Sequence, residues 1–337
     1  MKKTLLLILI PLLIIACAAA GLIVELRTYA ETPTNVNALD NVIISVRPGQ
    51  TLRTTANLLQ QANLIKGKLK FILIARINGS DKHLKAGEYL LSAAMPPRQI
   101  LEIMVKGAVN LHKLTVPEGY NIAQIAVLVE TARFGSKDDF IKTTMDPALV
   151  TKNGIEASSL EGYLFPDTYF FPRDVTMNKI ISTMLNRFWS VFTIEWKVRA
   201  KDLGFTVHQI VTLASIIEKE TGAAVERPII SSVFHTRLKN KMRLESDPTV
   251  IYGIKNFDGN LTRKHLSTRT AYNTYKIRGL PAGPIANPGR ASLEAALFPD
   301  DTEFIYFVSK KDNTHYFSKT LKEHNQAVRK YQLRRKK

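Results

Sequence analysis

The apolar run Leu5–Val24, set directly behind Lys2 and Lys3, is the feature that most restricts this chain. At 1.5 Å per residue, its roughly 20 residues reach across a hydrocarbon layer of about 30 Å. Pro11 is compatible with such a span, because transmembrane helices tolerate proline. Two other readings use the same residues. Leu5–Ile15 suits the apolar region of a cleaved signal, with Ala18, Ala19 and Ala20 as the cleavage site. Ile14-Ile15-Ala16-Cys17 suits a lipoprotein processing site, with Cys17 acylated. The run continues through Gly21-Leu22-Ile23-Val24, beyond what either signal needs, so the expectation is an uncleaved single-pass anchor. Arg27 is the only basic residue in the stretch just after the run, a bias that keeps the N-terminus cytoplasmic and exports the rest.

Location decides what the charge means. The 47 Lys+Arg against 29 Asp+Glu leave +18, which calls for an anionic partner surface. Nucleic acid, anionic lipid and the stem-peptide carboxylates of peptidoglycan all qualify by charge, and export excludes the first. Cys17 is the one cysteine, so neither an intrachain disulfide nor a cysteine metal cluster can form. The seven histidines show no His-x-x-x-His pair. No metal and no cofactor is expected.

Residues 28–40 (TYAETPTNVNALD) are polar and lack periodicity, and read as a linker. Val42–Val46 then predicts a strand, Arg47-Pro48-Gly49 a turn, and Thr51 the cap of a helix carrying Ala56, Leu58 and Leu59. A similar strand, turn and helix recur at Leu114–Gly119 followed by Ile122, Ile125, Ala126 and Val129. Between them Leu84–Leu91 predicts a strand and Met95–Val105 a helix. The chain therefore divides into an N-terminus and anchor (1–27), the linker, a first small module (41–112) and a second small α/β unit (113–153). The texture then changes to long helices (154–337). These helices are predicted over Ile180–Val198 and Thr206–Glu220, from Pro228, and after Asn287-Pro288. A hairpin joins Phe304–Val308 to Thr314–Phe317, and a basic helix closes the chain. The fold class is α+β, with the last region mostly helical.

Thr206 with Gln209 forms a capping box that fixes the start of the helix ending at Glu220. At about 100° per residue, Val207, Ile210, Val211, Leu213, Ala214 and Ile217 make one apolar face. His208, Thr212, Ser215 and Lys219 lie opposite. Glu218 falls on the apolar face, between Val211 and Ala214. Desolvation there favours the protonated acid and raises its pKa, the state needed to protonate a leaving glycosidic oxygen. The same position also suits a carboxylate at a frayed last turn or one paired with a buried arginine. Glu220, at the edge of the face, reads as a supporting residue.

The segment Ala214-Ser215-Ile216-Ile217-Glu218-Lys219-Glu220-Thr221 resembles the signature of the endolytic murein transglycosylases, the MltG or YceG-like family. Leu160–Tyr169 (LEGYLFPDTY), Ser246–Gly253 (SDPTVIYG) and Tyr272–Tyr275 with Gly279-Leu280-Pro281 agree in type and order, and Gly283–Gly289 (GPIANPG) extends the last. Small departures occur at Thr236, Thr270-Ala271 and Ala282, none at Glu218. The resemblance covers nearly the whole chain, and it makes the first small module similar to LysM, a fold that holds N-acetylglucosamine polymers.

The resemblance implies an envelope enzyme of the bacterial inner (cell) membrane, with its catalytic domain on the periplasmic or extracytoplasmic side. Its substrate is the peptidoglycan glycan strand, and cell-wall synthesis or division proteins are candidate partners. Glu218 takes the catalytic role. Glu161, Tyr163, Asp167, Ser246, Asp247, Tyr252, Tyr272, Asn273 and Asn287 become candidates to line the glycan cleft, or to brace its loops. The implied reaction cuts the bond from N-acetylmuramic acid to N-acetylglucosamine in nascent strands. It leaves a 1,6-anhydro end and so stops elongation. Two alternatives stay open: a hydrolytic muramidase using Asp247 or Glu161 as second carboxylate, and a non-enzymatic peptidoglycan-binding scaffold.

Overall fold

A computed structural model describes residues 2–333, with side chains from Leu9 onward. The basic tail Arg334–Lys337 lies outside the described residues, as do the side chains of Lys2 and Lys3. The chain divides into two units, Met1–His112 with Phe170–Asp174, and Lys113–Tyr169 with Val175–Lys337.

The first unit begins with helix α1 (Lys2–Glu31). Within its stretch Leu9–Glu31 an 18-residue window has a mean hydropathy of 2.5, so it is long and apolar enough to cross a membrane. Strand β1 (Asn41–Val46), helices α2 (Leu52–Gln61) and α3 (Lys68–Ile77), strand β2 (Gly87–Ser92) and helix α4 (Pro97–Lys106) follow. Strands β1 and β2 pair antiparallel, Asn41 opposite Ser92 and Val46 opposite Gly87. One side of that ribbon joins Leu59, Phe71, Ile100 and Met104 in a core completed by Val46, Tyr89 and Leu91. Burying such side chains contributes about 1.5–3 kcal/mol each. Thr51 caps α2 as expected, accepting from the Thr54 N–H at 3.2 Å.

Two features of this unit differ from the sequence reading. Helix α3 was not anticipated, because its buried Phe71, Ile72, Ile74 and Ala75 fall in a short, nearly continuous apolar run that shows no clear polar face. The stretch from Thr28 to Glu31, read as linker, continues α1. Its last turns belong to the core: Leu26 is buried and the Tyr29 hydroxyl donates to Gly67 O at 2.9 Å. Exposed ion pairs Lys70–Glu25 (2.6 Å) and Arg98–Glu31 (2.8 Å) flank this contact.

Strand β3 (His112–Thr115) leads to helices α5 (Ile122–Thr131), α6 (Lys137–Thr144) and α7 (Pro147–Lys152), and strand β4 (Thr168–Phe171) pairs with β3. Helices α8 (Met177–Val191), α9 (Ile194–Asp202), α10 (Val207–Glu220), α11 (Arg227–Lys239), α12 (Asp247–Tyr252), α13 (Arg263–Ser267) and α14 (Arg290–Leu297) come next. The hairpin β5 (Tyr306–Ser309) and β6 (His315–Ser318) precedes α15 (Leu321–Val328). The predicted single helix over Ile180–Val198 is broken at Phe192-Thr193. There the Thr193 hydroxyl caps α9 by accepting from the Trp196 N–H, a competing bond that ends one helix and starts another.

Helix α10 is the centre of this second unit, packed mainly on α14 and also on α9, α11 and α12. Every residue from Ile210 to Ile217 is buried. Thr212 and Ser215, expected on an outer face, are therefore enclosed. Their hydroxyls return to carbonyls of the same helix, Thr212 to His208 O and Ser215 to Thr212 O, each at 2.7 Å, so burial leaves no donor unmet. The architecture is mixed α+β with helix predominating.

Candidate active site

The capping box that starts α10 is formed as expected. Thr206 Oγ1 accepts from the Gln209 N–H at 3.1 Å, and Gln209 Oε1 accepts from the Thr206 N–H at 2.8 Å. Glu218, two residues before the end of the fourteen-residue helix, sits where its side chain is 8% exposed. The surroundings are not simply apolar. Glu218 Oε2 accepts from the Gly289 N–H at 3.0 Å, and Arg227 Nη2 lies 3.7 Å from Oε1. Gly289 is the residue from which α14 starts, and Arg227 opens α11. The start of α14, where backbone dipoles favour negative charge, thus meets this carboxyl directly, and α11 reaches it through the Arg227 side chain. Pro288 and Pro228 mark both starts in the sequence.

A second carboxyl faces the same guanidinium. Glu118, in the turn after β3, has Oε2 at 4.0 Å from Arg227 Nη2 and is about half exposed. Partial burial pushes its proton affinity up, the Glu218 charge adds to that, and Arg227 opposes both. A Cβ on Gly289 would meet the Glu118 carboxyl, which would have to swing away from its present place. Gly119 sits at φ +73°, a left-handed conformation that suits glycine, and a Cβ on it would lie 3.5 Å from Glu218 Cγ. The residues from Glu118 to Tyr120 therefore lie against the end of α10 and the start of α14. Lys219 Nζ donates to Gly119 O at 3.4 Å.

Asn287 holds these segments in place. The Gly119 N–H donates to its carbonyl at 3.0 Å, and its own N–H donates to Tyr120 O at 2.8 Å. Its side chain is buried. Oδ1 accepts from the Leu164 N–H at 2.8 Å, while Nδ2 donates to Tyr120 O at 2.9 Å and to Glu161 Oε1 at 3.1 Å. Glu161 also accepts from the Ile122 N–H and, at 2.9 Å, from the Tyr252 hydroxyl. Burial raises its pKa to about 7 against these donors, which pull the other way. The Tyr252 ring stands 4.8 Å from that of Tyr272, and burial with the Glu161 charge pushes the Tyr252 phenol up.

The remaining sequence candidates divide by environment. Ser246 Oγ donates to Glu220 Oε1 at 2.6 Å, on the side of α10 away from Gly289, and burial raises the proton affinity of Glu220. Asp247 accepts from the Tyr275 hydroxyl at 2.7 Å. Asn273 is enclosed and its amide donates to three carbonyls at the end of α13, those of His265, Leu266 and Thr268. Tyr163 is enclosed too, its hydroxyl 3.1 Å from His208 Nδ1, and Asp167 pairs with Arg187 at 2.7 Å. The structure therefore links Glu161, Tyr252, Tyr272 and Asn287 in one cluster, which Asn287 ties to the Gly119 turn beside Glu218. Ser246 and Asp247 gather around Glu220, and Tyr163, Asp167 and Asn273 are tied into local framework.

Sequence reasoning missed Glu118, Arg227 and Gly289 as neighbours of Glu218. Their only signals were a Pro-Glu-Gly turn, an Arg-Pro helix start and the end of a Gly/Pro loop. An open cleft of about 710 Å3 runs beside the first half of α10, where His208, Gln209, Thr212 and Pro281 line it; Glu218 is not among its lining residues. Among the described residues, no group of three or more His, Cys, Asp or Glu is gathered as metal ligands would be.

A model of the YceG-like family matches residues 44–330. The chain belongs to the YceG-like family. An endolytic murein transglycosylase of Bacillus subtilis is 35% identical over 315 residues, covering 89% of this chain and 87% of its own. One from Streptococcus pneumoniae is 27% identical over 330 residues, and the match spans 59% of that longer protein. A crystal structure of a YceG-like protein from Listeria monocytogenes superposes with a TM-score of 0.59 at 35% identity, covering 86% of this chain and 99% of that one. In this YceG-like chain the matched region contains both Glu218 and the Glu118 turn.

Proposed function

We propose that this YceG-like chain is an endolytic murein transglycosylase with Glu218 as its catalytic acid and base. The observation that carries the reading is one enclosed carboxyl, set at the end of a buried helix between a backbone N–H and a guanidinium. In the forward step Glu218 protonates the oxygen joining N-acetylmuramic acid to N-acetylglucosamine, and that C1–O bond breaks. The resulting carboxylate takes the proton of the muramoyl C6 hydroxyl while O6 bonds to C1. The ring closes as a 1,6-anhydro end, Glu218 regains its proton and no water is consumed. One carboxyl can serve both halves because an internal hydroxyl replaces the water of ordinary glycosidases. Mass analysis of products from purified peptidoglycan tests this reading. Anhydro ends are expected, reducing ends would make the chain a hydrolytic muramidase, and undigested strands would make it a scaffold.

The candidate residues are proposed to shape the cleft: Glu161, Tyr252, Tyr272 and Asn287 by holding the loops, Ser246 and Asp247 by carrying the opposite wall. Tyr163, Asp167 and Asn273 support it from further back. Residues 154–337 with 113–153 form the catalytic part under this reading. Residues 41–112 are proposed as a LysM-like glycan-holding module, supported by the strand, Pro-Gly turn and helix at Val42–Gln61. A fragment carrying residues 26–112 should then sediment with insoluble peptidoglycan at ordinary ionic strength. Retention that vanishes with modest salt would reduce it to charge attraction, which is screened beyond about 8–10 Å.

The length and hydropathy of α1 support a single-pass anchor with the remainder outside the cytoplasm. A reporter fused after Lys337 is expected to be active only outside the cytoplasm, on an unprocessed chain in the membrane fraction. A mature chain starting at acylated Cys17 would replace the anchor by a lipid, and a cytoplasmic C-terminus would end the envelope assignment.

A further inference from the structure

Glu118 has no part in the single-carboxyl scheme, yet it shares one nitrogen, Arg227 Nη2, with Glu218. Both carboxyls also converge on Gly289, Glu218 at its N–H and Glu118 over the space a Cβ would take. We propose that Glu118 is a positioning residue for the reaction, dividing the Arg227 charge so that Glu218 can still carry a proton. The inference rests on the transglycosylase reading of the same site.

The physical argument concerns what Arg227 would do alone. A guanidinium within about 4 Å of a carboxylate favours its ionised form, typically by 1–3 pH units. A general acid bound only to such a cation would give up its proton too early to serve a leaving oxygen near neutral pH. A second carboxylate on the same nitrogen draws off part of that attraction and adds like-charge repulsion. Both effects favour a protonated acid over an ionised one. Other charged groups lie near the end of α10: Lys219 Nζ bonds Gly119 O beside the pair, Arg290 lies over the Trp196 ring at 5.3 Å, and Asp247 and His315 bear on Glu220. Arg227 is the cation whose ion pairs reach both carboxyls.

The geometry also separates their duties. Glu218 is enclosed, while the half-exposed Glu118 sits in a turn whose own backbone is tied to Asn287. Glu118 is thus held firmly enough to keep its share of Arg227, and its removal opens no buried cavity.

The test is the pH dependence of kcat/KM for release of anhydro-ended products by the full chain and by Glu118→Gln. With the neutral amide, Arg227 pairs with Glu218 alone. The alkaline limb is expected to move to lower pH by roughly one unit, so that turnover on that limb falls about tenfold. Glu118→Asp, which restores the charge, should return the limb toward its original place. Lower activity at every pH with the limb unmoved would mean a structural role only and overturn the proposal. A readout independent of turnover is the carboxyl carbon signal of Glu118 in labelled protein. Its titration midpoint should fall in Glu218→Gln, because the repelling charge has gone, and an unmoved midpoint would overturn the coupling whatever reaction the chain performs. Wild-type digests without anhydro ends would instead overturn the assignment of the reaction.

Discussion

Glu218→Gln is expected to lower turnover on purified glycan strands by at least about 10⁴-fold while the protein stays folded. General acid–base assistance contributes about 10²–10⁴-fold in a single proton transfer, and the proposed reaction uses this carboxyl in two. Glutamine fills the same space at the end of α10, and its amide oxygen can keep the Gly289 N–H bond now made by Oε2. Arg227 loses one carboxylate and keeps Glu118, so no lone guanidinium is left behind. Thermal unfolding should therefore stay within about 1 kcal/mol of the parent, as for substitutions that bury no unmet group. Glu220→Gln is the companion measurement. That carboxyl is bound by the Ser246 hydroxyl at 2.6 Å on the other side of the helix, so its replacement should disturb stability more and turnover less. Near-normal anhydro product from Glu218→Gln would remove Glu218 from the mechanism.

The other large effect is expected at a residue that does no chemistry. Asn287→Ala deletes a buried amide that accepts from the Leu164 N–H and donates to Tyr120 O and Glu161. Leu164 is itself buried, and its N–H loses the acceptor described here. The cost should be about 2–4 kcal/mol, from an unmet buried donor together with the lost bonds. Denaturant unfolding measures this directly. Activity should fall by about 10²-fold even where the variant is fully folded, since a displacement of about 1 Å at a site can cost that much. The Tyr120 carbonyl and the neighbouring Glu118 turn would no longer be fixed against the start of α14. Asn287→Asp is informative beside it: the acceptor remains, but a carboxylate then faces Glu161 and the Tyr120 carbonyl. An Asn287→Ala variant with parental stability and turnover would contradict this account of how the site is held.

What could be read from sequence follows the range of the interactions involved. The cap at Thr206, the end of α10 near Thr221, the hairpin ahead of α15 and the first strand after Asp40 are set by neighbours a few residues apart. Their patterns are visible in the chain itself. The break at Phe192-Thr193 was hidden because the apolar spacing continues across it, while the deciding bond runs from the Trp196 N–H to one hydroxyl. Thr212 and Ser215 misled for a related reason. Polarity suggested exposure, whereas both hydroxyls are satisfied within their own helix and Ser215 also accepts from the Ile285 N–H at 3.0 Å. The carboxyl at 218 was found because it sits in a local pattern. Its companions come from residues 118, 227 and 289, far apart in the chain, and no periodicity links them. The expected apolar setting of Glu218 was incomplete on that account.

The end of α1 has a mechanical consequence for anything attached to it. Because Leu26 and Tyr29 are seated in the first unit before the helix stops at Glu31, the unit is clamped to its stalk instead of hanging from a slack cord. A slack cord changes only its reach when a residue is added. A helical stalk also turns, by about 100° for each added residue. One residue inserted just ahead of Leu26 would leave that seat in place and turn the preceding part of the helix by about 100° relative to the unit, and three or four would nearly restore its heading. The heading of the β1–β2 ribbon about the stalk axis is thus written in the phase of a helix, and chain length alone would not preserve it.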